Sequence, residues 1–469
     1  MVETISPDYL VVGAGAGAMA FVDTLIVSNP KATVAMVDKY AQPGGHWNVA
    51  YPFVTLHQPS SVYGVNSRKL GDNKPDQIGL NKGFFELATG PEIVGYYARV
   101  MNSTLLPSGR VSYYPLHNYT REGEFESIAT GKHYQVGPKT RIVDATYSMV
   151  RVPSMNPPKY EVSDQVKLIT PNALVSLDRP YGGYTLVGAG KTATDACVWL
   201  LSQNIDPKKI SWIMPRDSWF IERGTLQPTQ TTPNPEQMLK DKADALMGAT
   251  TSQEYFLRME SYGFMHRIDK NVTPTRMKAA IISKPELETI QRVKNIIRKG
   301  RVTRIDADKV TLAQGTYTPA PDTLYIDCSA TGYPDIPPVP IWNGRQITIQ
   351  VVKLVQPTFG AALIGHIEAT YDSDEKKNDI CKPLHSVCNA ESWSVVVLES
   401  MRNRLKWIEE PKVAAWIEQS RLDDIVMGAP PRDPEEAKKH NESIPYMVQG
   451  TCAKLEEIVR NDEALAAAP

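Results

Sequence analysis

Two short glycine-rich segments of this chain have the residue types and spacing to bind phosphate groups through the backbone. "GAGAGA" at 13–18 and "GAGKTA" at 188–193 both follow the order G-x-G-x-x-A. In this order the first glycine permits a tight turn, the second lets the backbone approach a pyrophosphate, and the third small residue lets a helix pack closely on a strand. The repeated order predicts two dinucleotide-binding turns in one polypeptide.

The first turn is followed by an acid at the position where a ribose would lie. Asp38 ends the next predicted strand, and a carboxylate there accepts hydrogen bonds from a ribose diol. The competing interpretation is a small-residue turn that binds no nucleotide. The residues predicted to hold the ligand are Gly13, Gly15, Gly17, Ala18, Asp38 and Lys39.

The elements around this turn are predicted to place it at the edge of a sheet. "YLVV" at 9–12 is a continuous apolar run that predicts a buried strand, residues 16–28 predict a helix, and "TVAMVD" at 33–38 predicts a second strand. This is a complete β-turn-α-β unit, the context that the glycine order requires. It favours a nucleotide over an empty turn.

The second turn has the same setting but a different charge. "YTLV" at 184–187 predicts a strand, the following helix is predicted to run to Ser202, and "KISWIMPRD" at 209–217 predicts the next strand. Arg216 stands near the end of that strand and suits the 2′-phosphate of NADPH, whereas an acid would repel it; a solvated surface arginine is the alternative. The predicted nucleotide-binding residues are Gly188, Gly190, Lys191, Thr192 and Arg216.

Two dinucleotide turns in one chain predict two different cofactors. The five cysteines are scattered without a C-x-x-C pair, and no Cys/His spacing is typical of a zinc site. We therefore expect electron transfer between one tightly held flavin and one exchangeable nicotinamide, with no metal. Disulfide reductase activity is not expected, because no paired cysteines are present.

"PGGHWNVAYP" at 43–52, with "YPFVTLHQPSSVYG" after it, resembles the flavin-containing and Baeyer–Villiger monooxygenases. Gly44, Gly45 and Trp47 match the family's G-G-x-W, and "TLYIDCSATGYP" at 323–334 is similar to the strand that leads back to the flavin domain. The resemblance implies FAD at the first turn and NADPH at the second. It also implies a monooxygenase in which a C4a-(hydro)peroxyflavin, formed with molecular oxygen, oxygenates a small organic substrate.

One feature of that family is absent from this sequence. The signature F-x-G-x-x-x-H, expected just before the second turn, is replaced by "TPNALVSLDRPYGGYTLVGAG" at 170–190. An FAD- and NADPH-dependent dehydrogenase or reductase without oxygen insertion therefore stays open as the alternative. A flavoprotein that only binds and senses nicotinamide is a third class.

The resemblance also implies which loops line the flavin. "LHQPSS" at 56–61 is placed beside the isoalloxazine, where Gln58 bonds ring atoms and His57 acts as an acid or base near physiological pH. A plain structural role is the alternative for each residue. The residues expected at the flavin in this part of the chain are Gly45, His46, Trp47, His57 and Gln58.

A late helix is expected to point its N-terminus at the flavin. "QPTFGAALIGHIEATYD" at 356–372 predicts a helix with Thr358 as its N-cap, and the resemblance gives Thr358 and Phe359 a place at the pyrimidine side of the ring. An ordinary amphipathic helix is the alternative.

Together the elements predict an α/β fold with two Rossmann-like domains. Residues 1–150 are predicted as the first part of the FAD-binding domain, 151–330 as the NADPH-binding domain, and 331–469 as the completion of the FAD-binding domain with C-terminal helices. "GRVTRIDADKVTLAQGTY" at 300–317 predicts a β-meander. Its neighbour at 218–295 is predicted as a helical insertion.

The insertion has no recognisable function in the sequence. "PEQMLKDKADALMGA" at 235–249 and "PELETIQRVKNIIRK" at 285–299 predict helices, and "TLQPTQTTPNPE" at 225–236 predicts a mobile loop. Such an insertion either covers a substrate cleft or joins two copies in a homodimer, and the sequence leaves both open.

The overall composition limits the partners. A formal charge of −1 over 469 residues predicts no strong attraction to nucleic acid or anionic membranes. No apolar run approaches the roughly 18 residues of a membrane span, and the first residues lack a signal-peptide pattern. With the scattered cysteines, these features predict a cytoplasmic protein, and the resemblance implies a small-molecule substrate and molecular oxygen as its partners.

Overall fold

A computed structural model describes residues 2–228, 234–423 and 434–467 of the chain as a mixed α/β protein. The helices are α1 (Ala16–Ser28), α2 (Gly90–Val100), α3 (Lys191–Ser202), α4 (Pro235–Met247), α5 (Ser252–Ser261), α6 (Lys284–Ile290), α7 (Pro357–Thr370), α8 (Asp374–Ile380), α9 (Ala390–Glu409), α10 (Pro411–Gln419) and α11 (Pro434–Ala467).

Within these ranges the strands fall into five sheets. Those in the first part of the chain are β1 (Val2–Ile5), β2 (Tyr9–Val12), β3 (Val34–Asp38), β4 (Val111–Pro115), β5 (His117–Arg121), β6 (Glu124–Ser127), β7 (His133–Val136), β8 (Arg141–Asp144) and β9 (Glu161–Val162). The next are β10 (Lys167–Ile169), β11 (Gly183–Val187), β12 (Ile210–Ile213), β13 (Ser218–Glu222), β14 (Met265–His266), β15 (Arg276–Ile282) and β16 (Asn295–Ile297). The last are β17 (Val302–Ile305), β18 (Val310–Leu312), β19 (Gly315–Tyr317), β20 (Thr323–Asp327), β21 (Trp342–Asn343) and β22 (Gln346–Thr348).

The first large sheet carries the first glycine turn. Its order is β21-β22-β8-β2-β3-β4, parallel except for the edge strand β21. β2 lies between β8 and β3, so the strand order reverses at its carboxyl end, the place where open α/β sheets bind nucleotides. The β-turn-α-β unit predicted over 9–38 is confirmed.

The two faces of this sheet are covered by different layers. Val11 and Met36 pack with the helical layer, whereas Leu10 and Val37 pack with Phe125 of the small sheet β1-β7-β6-β5. Successive residues of a strand point to opposite faces, which explains why apolar side chains fill both layers. The first unit is therefore a sheet between helices and a second, smaller sheet.

Helices α1 and α7 pack closely and run in the same direction. A Cβ on Gly17 would lie 3.9 Å from the Ala361 Cβ, and one turn further along, a Cβ on Gly365 would lie 2.6 Å from the Phe21 carbonyl oxygen. Contacts that advance together along both helices require a parallel arrangement. Since α1 starts at the carboxyl end of β2, both N-termini lie at the same edge of the sheet.

The second large sheet repeats this architecture. Its order is β10-β20-β11-β12-β16, all parallel, with α3 and α6 on one face and the antiparallel strands β17, β18 and β19 on the other. The meander predicted at 300–317 and the strand within 323–334 are confirmed. Two Rossmann-like units in one α/β chain are the fold class that the sequence predicted.

The insertion predicted as helical is only partly so. α4 and α5 are present, but β13, β14 and β15 form a three-stranded sheet between them and the second unit. The helix predicted at 285–299 ends at Ile290, and β16 pairs with β12 instead, because an open sheet edge outweighs local helical spacing. The loop predicted at 225–236 lies partly outside the described residues.

The C-terminal helices share a core with the insertion. Trp393 of α9 packs among Trp219, Phe256 and Leu455, and Trp407 is fully buried against the first unit. The tryptophans of this region thus serve packing. In the described ranges no helix has the length and apolar composition needed to cross a membrane.

Candidate functional site

The first glycine turn is built as a tight cradle. Gly13 has φ +98°, a conformation that only glycine adopts without strain. A Cβ on Gly45, which has φ +57°, would stand 2.9 Å from the Gly15 Cα, and the Gly44 amide donates to the Ala14 carbonyl at 2.9 Å. The G-G-x-W segment therefore lies directly on the turn that its residues were predicted to serve.

Asp38 is bonded to this turn. Its carboxylate accepts from the Ala14 amide and, at 2.8 Å, from the Tyr40 amide. Burial raises the pKa of Asp38, although the two amides oppose that shift. Each carboxylate oxygen has a second lone pair, so the group is able to accept from a ribose as well.

The other residues predicted for the first site are placed differently. Gly17 faces α7 and Ala18 is fully buried, so both serve helix packing. Lys39 is exposed, with its ammonium 5.2 Å from the centre of the Tyr40 ring.

The N-terminus of α7 carries a buried hydroxyl without a partner. Thr358 is 1% exposed, and its Oγ1 makes no hydrogen bond to any described residue. The N-cap is Gln356 and not Thr358, because Pro357 takes the first helical position. Val355, just before the cap, has φ +57°, a strained conformation for a β-branched residue.

Phe359 is in the first turn of α7, and its ring packs into the core. Its fully buried ring packs 5.8 Å from Trp407 and 5.9 Å from Trp416. The ring thus serves packing, and the contact of Phe359 with a flavin stays a prediction.

Three polar side chains of the predicted flavin loops have no hydrogen-bond partner among the described residues. His46 and His57 are half-buried and Gln58 is buried, yet none makes a side-chain hydrogen bond to a described residue. Trp47 is held in place, since its Nε1 donates to the Tyr63 hydroxyl at 2.9 Å. Buried polar groups normally form hydrogen bonds, so these unbonded side chains are suited to bonding a ligand.

The pKa values of His57 and His46 are both lowered. Burial, with the nearby cations Lys191 and Arg223, lowers the pKa of His57 to about 3. Burial alone lowers the pKa of His46 to about 4. Both shifts favour the neutral imidazole, which donates one hydrogen bond and accepts another, and the acid or base role of His57 stays a prediction.

The second glycine turn is tight on one side and open on the other. Gly188 has φ +124°, and a Cβ there would lie 2.6 Å from the Cys328 carbonyl oxygen at the end of β20. The Trp212 Nε1 donates to the Gly188 carbonyl at 2.6 Å. A Cβ on Gly190 would meet nothing within 4 Å, which leaves room for a phosphate over the start of α3.

The first residues of α3 are already engaged with other side chains. Lys191 is mostly buried, pairs with Asp195, and lies 3.6 Å from a Glu286 oxygen. The hydroxyl of Thr192 is close to that of Tyr51. Neither residue points freely into the space over Gly190.

Arg216 lies in a cluster of arginines. Its side chain is largely exposed. The partial burial of the guanidinium, followed by the charges of Arg276 and Arg301, lowers the pKa of Arg216. None of the three forms an ion pair with a described residue. The neighbouring acid, Asp217, is held by Arg298 through two bonds of 2.9 Å, so its charge is compensated.

Sequence reasoning missed several residues of this region. Arg276 is brought next to Arg216 by the parallel pairing of β15 with β13, which joins segments far apart in the chain. Tyr51 bonds Asp195 of α3, and Arg223 pairs with Glu286 of α6, so both contacts join residues far apart in the chain. In the described ranges no group of His, Cys, Asp and Glu is arranged to hold a metal ion.

Solved structures with a similar fold include flavoprotein monooxygenases. A mutant flavin monooxygenase from Stenotrophomonas maltophilia is 12% identical, with a TM-score of 0.47 over 79% of this chain and 100% of that one. The open form of cyclohexanone monooxygenase is 13% identical, with a TM-score of 0.49 over 99% and 98%. An oxidised steroid monooxygenase bound to NADP is 12% identical, with a TM-score of 0.48 over 95% and 99%.

Curated relatives are much closer in sequence. No protein-family model matches the chain. The uncharacterized protein Rv2000 of Mycobacterium tuberculosis (strain H37Rv) and the uncharacterized protein Mb2023 of Mycobacterium bovis are each 43% identical over 434 residues, which is 92% of this chain and 80% of theirs. With that identity over that length, the chain belongs to the family of these mycobacterial proteins.

Proposed function

We propose that this protein is an FAD- and NADPH-dependent monooxygenase that acts on a small organic substrate. The observation that carries the proposal is the presence of two glycine turns, each at the carboxyl end of the central strand of a parallel sheet, in one chain. Bound FAD would supply a two-electron carrier between NADPH and molecular oxygen.

The residues of the first turn fit FAD. The glycine cradle admits a pyrophosphate close to the backbone, and Asp38 has lone pairs left for a ribose. The parallel N-termini of α1 and α7 both favour negative charge at this edge. The unpartnered hydroxyl of Thr358 and the amide of Gln58 supply donors for a polar ring.

The residues of the second turn fit NADPH better than NADH. The open space over Gly190 suits the pyrophosphate, and the unpaired Arg216, Arg276 and Arg301 suit a 2′-phosphate. With Asp217 neutralised by Arg298, no uncompensated acid competes for that position. NADH lacks the 2′-phosphate that these arginines would bind.

The remaining residues have supporting parts in the proposal. His57 stays neutral and offers a hydrogen bond without adding charge beside the reacting ring. The insertion and the C-terminal helices, which share one core, lie against Val62 and Val355 of the loops next to the first turn. Such cover keeps water from the reaction space.

The absent F-x-G-x-x-x-H signature favours one alternative, an FAD- and NADPH-dependent reductase without oxygen insertion. Both functions require that NADPH reduces the flavin, and they differ only in the fate of the electrons.

The cofactor assignment is tested by identifying the flavin released from the purified protein and by anaerobic titration with NADPH and with NADH. We expect FAD, bleached by NADPH at lower concentration than by NADH. Gly13→Val is expected to lose the flavin because the turn cannot form at φ +98°. A yellow Gly13→Val protein with normal FAD content contradicts the assignment of the first turn.

A further inference from the structure

A line of buried charged and polar side chains connects the second glycine turn to the loop at 51–57 of the first unit. Tyr51 is at one end, and Arg223 contacts the same loop at the other. In order along the line, the side chains are those of Tyr51, Asp195, Lys191, Glu286 and Arg223.

The first half of the line ends on the flavin-side loop. The Tyr51 hydroxyl donates to Asp195 Oδ2 at 2.6 Å, and the Lys191 ammonium pairs with the other carboxylate oxygen. Lys191 directly follows Gly190, where the space for a phosphate is open. Its backbone therefore borders the ligand site, while its ammonium is held by Asp195.

The second half returns to the same loop. Arg223, whose side chain is 2% exposed, binds Glu286 Oε2 at 2.6 Å. It also donates to the His57 carbonyl at 3.4 Å and to Asn81 Oδ1 at 3.3 Å. The loop at 51–57 is thus bonded at one end to Asp195 of the second unit and at the other to Arg223 of the insertion.

The line contains two positive and two negative side chains, all of them mostly buried. Lys191 and Arg223 face Asp195 and Glu286, and none of the four side chains is more than 13% exposed. A buried charge without its partner is costly, so a change at one member is transmitted to the next. A pyrophosphate bound over Gly190 would compete with Asp195 for the Lys191 ammonium.

We infer that Tyr51, acting through Asp195 and Lys191, is a positioning residue that makes the flavin-side loop respond to nucleotide at the second turn. The inference rests on the proposed function, in which FAD and NADPH occupy the two turns. Its consequence is that NADP⁺ changes the surroundings of the flavin before any electron moves.

The test compares Tyr51→Phe with the wild-type holoprotein. We expect the visible difference spectrum that NADP⁺ produces in the oxidised flavin to be lost, and anaerobic reduction by NADPH to slow about tenfold, the effect of one hydrogen bond to a charged group. Reduction by dithionite should be unchanged. Tyr371→Phe is the matched control, because it removes a hydroxyl bonded to Glu410 at 3.2 Å.

Asp195→Asn is a second variant, since it keeps an acceptor for Tyr51 and removes the charge that holds Lys191. It should lose the NADP⁺ difference spectrum as well. A Tyr51→Phe holoprotein with the wild-type spectrum and rate overturns the inference while leaving the proposed function intact. A wild-type protein that holds no FAD, or that NADPH does not reduce, overturns both.

Discussion

Gly45 stands directly over Gly15, so close that a Cβ on Gly45 would lie 2.9 Å from the Gly15 Cα. The two residues belong to separate glycine segments, and their contact forms the cradle of the first turn. The amide of Gly44 fixes this contact by donating to the Ala14 carbonyl. A single extra methyl group at this point should therefore test the FAD site.

Gly45→Ala is expected to lower FAD affinity about ten- to a hundredfold, because overpacking costs roughly 1–3 kcal/mol at a closely packed position. The measurement is flavin content per protein and FAD titration of the apoprotein. Gly344→Ala is the control: its φ of +58° imposes the same backbone strain, but a Cβ there meets nothing within 4 Å. Equal FAD affinity in the two variants would show that the Gly15 contact is unimportant.

Thr358→Val is expected to act in opposite directions on the apoprotein and on FAD binding. A buried hydroxyl without a partner costs about 1–3 kcal/mol, so the apoprotein should be as stable as the wild type or more stable in urea unfolding. FAD affinity should fall about tenfold if the hydroxyl bonds the flavin. Thr24→Val, also buried and unpartnered but within α1, should change stability without changing FAD affinity.

Arg276→Ala is expected to raise the Kd for NADPH about ten- to a hundredfold, the range for a lost charge-assisted hydrogen bond. The Kd for NADH should stay the same, since it has no 2′-phosphate, and Arg216→Ala should behave alike. Arg304→Ala, an exposed arginine of the same unit paired with Glu161, is the control. Equal losses for both nucleotides would place the arginines outside the 2′-phosphate site.

His57 should make stability depend on pH below neutrality. Its pKa is about 3 in the folded protein, below the roughly 6.5 of an unfolded histidine, so the unfolded chain binds more protons between these values. The contribution of His57 to the free energy of unfolding is fully present above pH 6.5. It is lost as the pH falls, by at most about 1.4 kcal/mol per pH unit. His57→Asn should reduce that slope in urea unfolding between pH 4 and 6.5, because it removes the titrating ring.

The control for this prediction is Gln314→Asn, an exposed residue in the turn after β18, which removes no titratable group and should leave the slope unchanged. An unchanged slope in His57→Asn would mean that the histidine titrates normally in the folded protein.

Short-range features of the sequence predicted much of the fold. The turns at Gly13 and Gly188, with their flanking strands and helices, are fixed by neighbouring residues, so local patterns identify them. The edge strand β16 was mistaken for helix because its partner β12 lies far away in sequence. Pairing across such distances leaves no local pattern.

In the candidate site, too, local patterns predict some residues, whereas contacts between distant residues are not predicted. Asp38 and Arg216 were identified from their places after predicted strands. The bond between Tyr51 and Asp195 was not, because it joins residues 144 positions apart through side chains on a loop and a helix. The low pKa of His57 likewise depends on burial and then on Lys191 and Arg223, which only the folded chain brings together.

The most direct test of the central claim is stopped-flow absorbance of the holoprotein, reduced anaerobically with NADPH and then mixed with oxygen. The proposed function predicts rapid bleaching by NADPH and then a transient species, distinct from both reduced and oxidised flavin, before the oxidised spectrum returns. Direct return to the oxidised spectrum, with and without candidate substrates, would favour the reductase. Failure of NADPH to reduce the flavin would contradict the account of two cooperating dinucleotide turns.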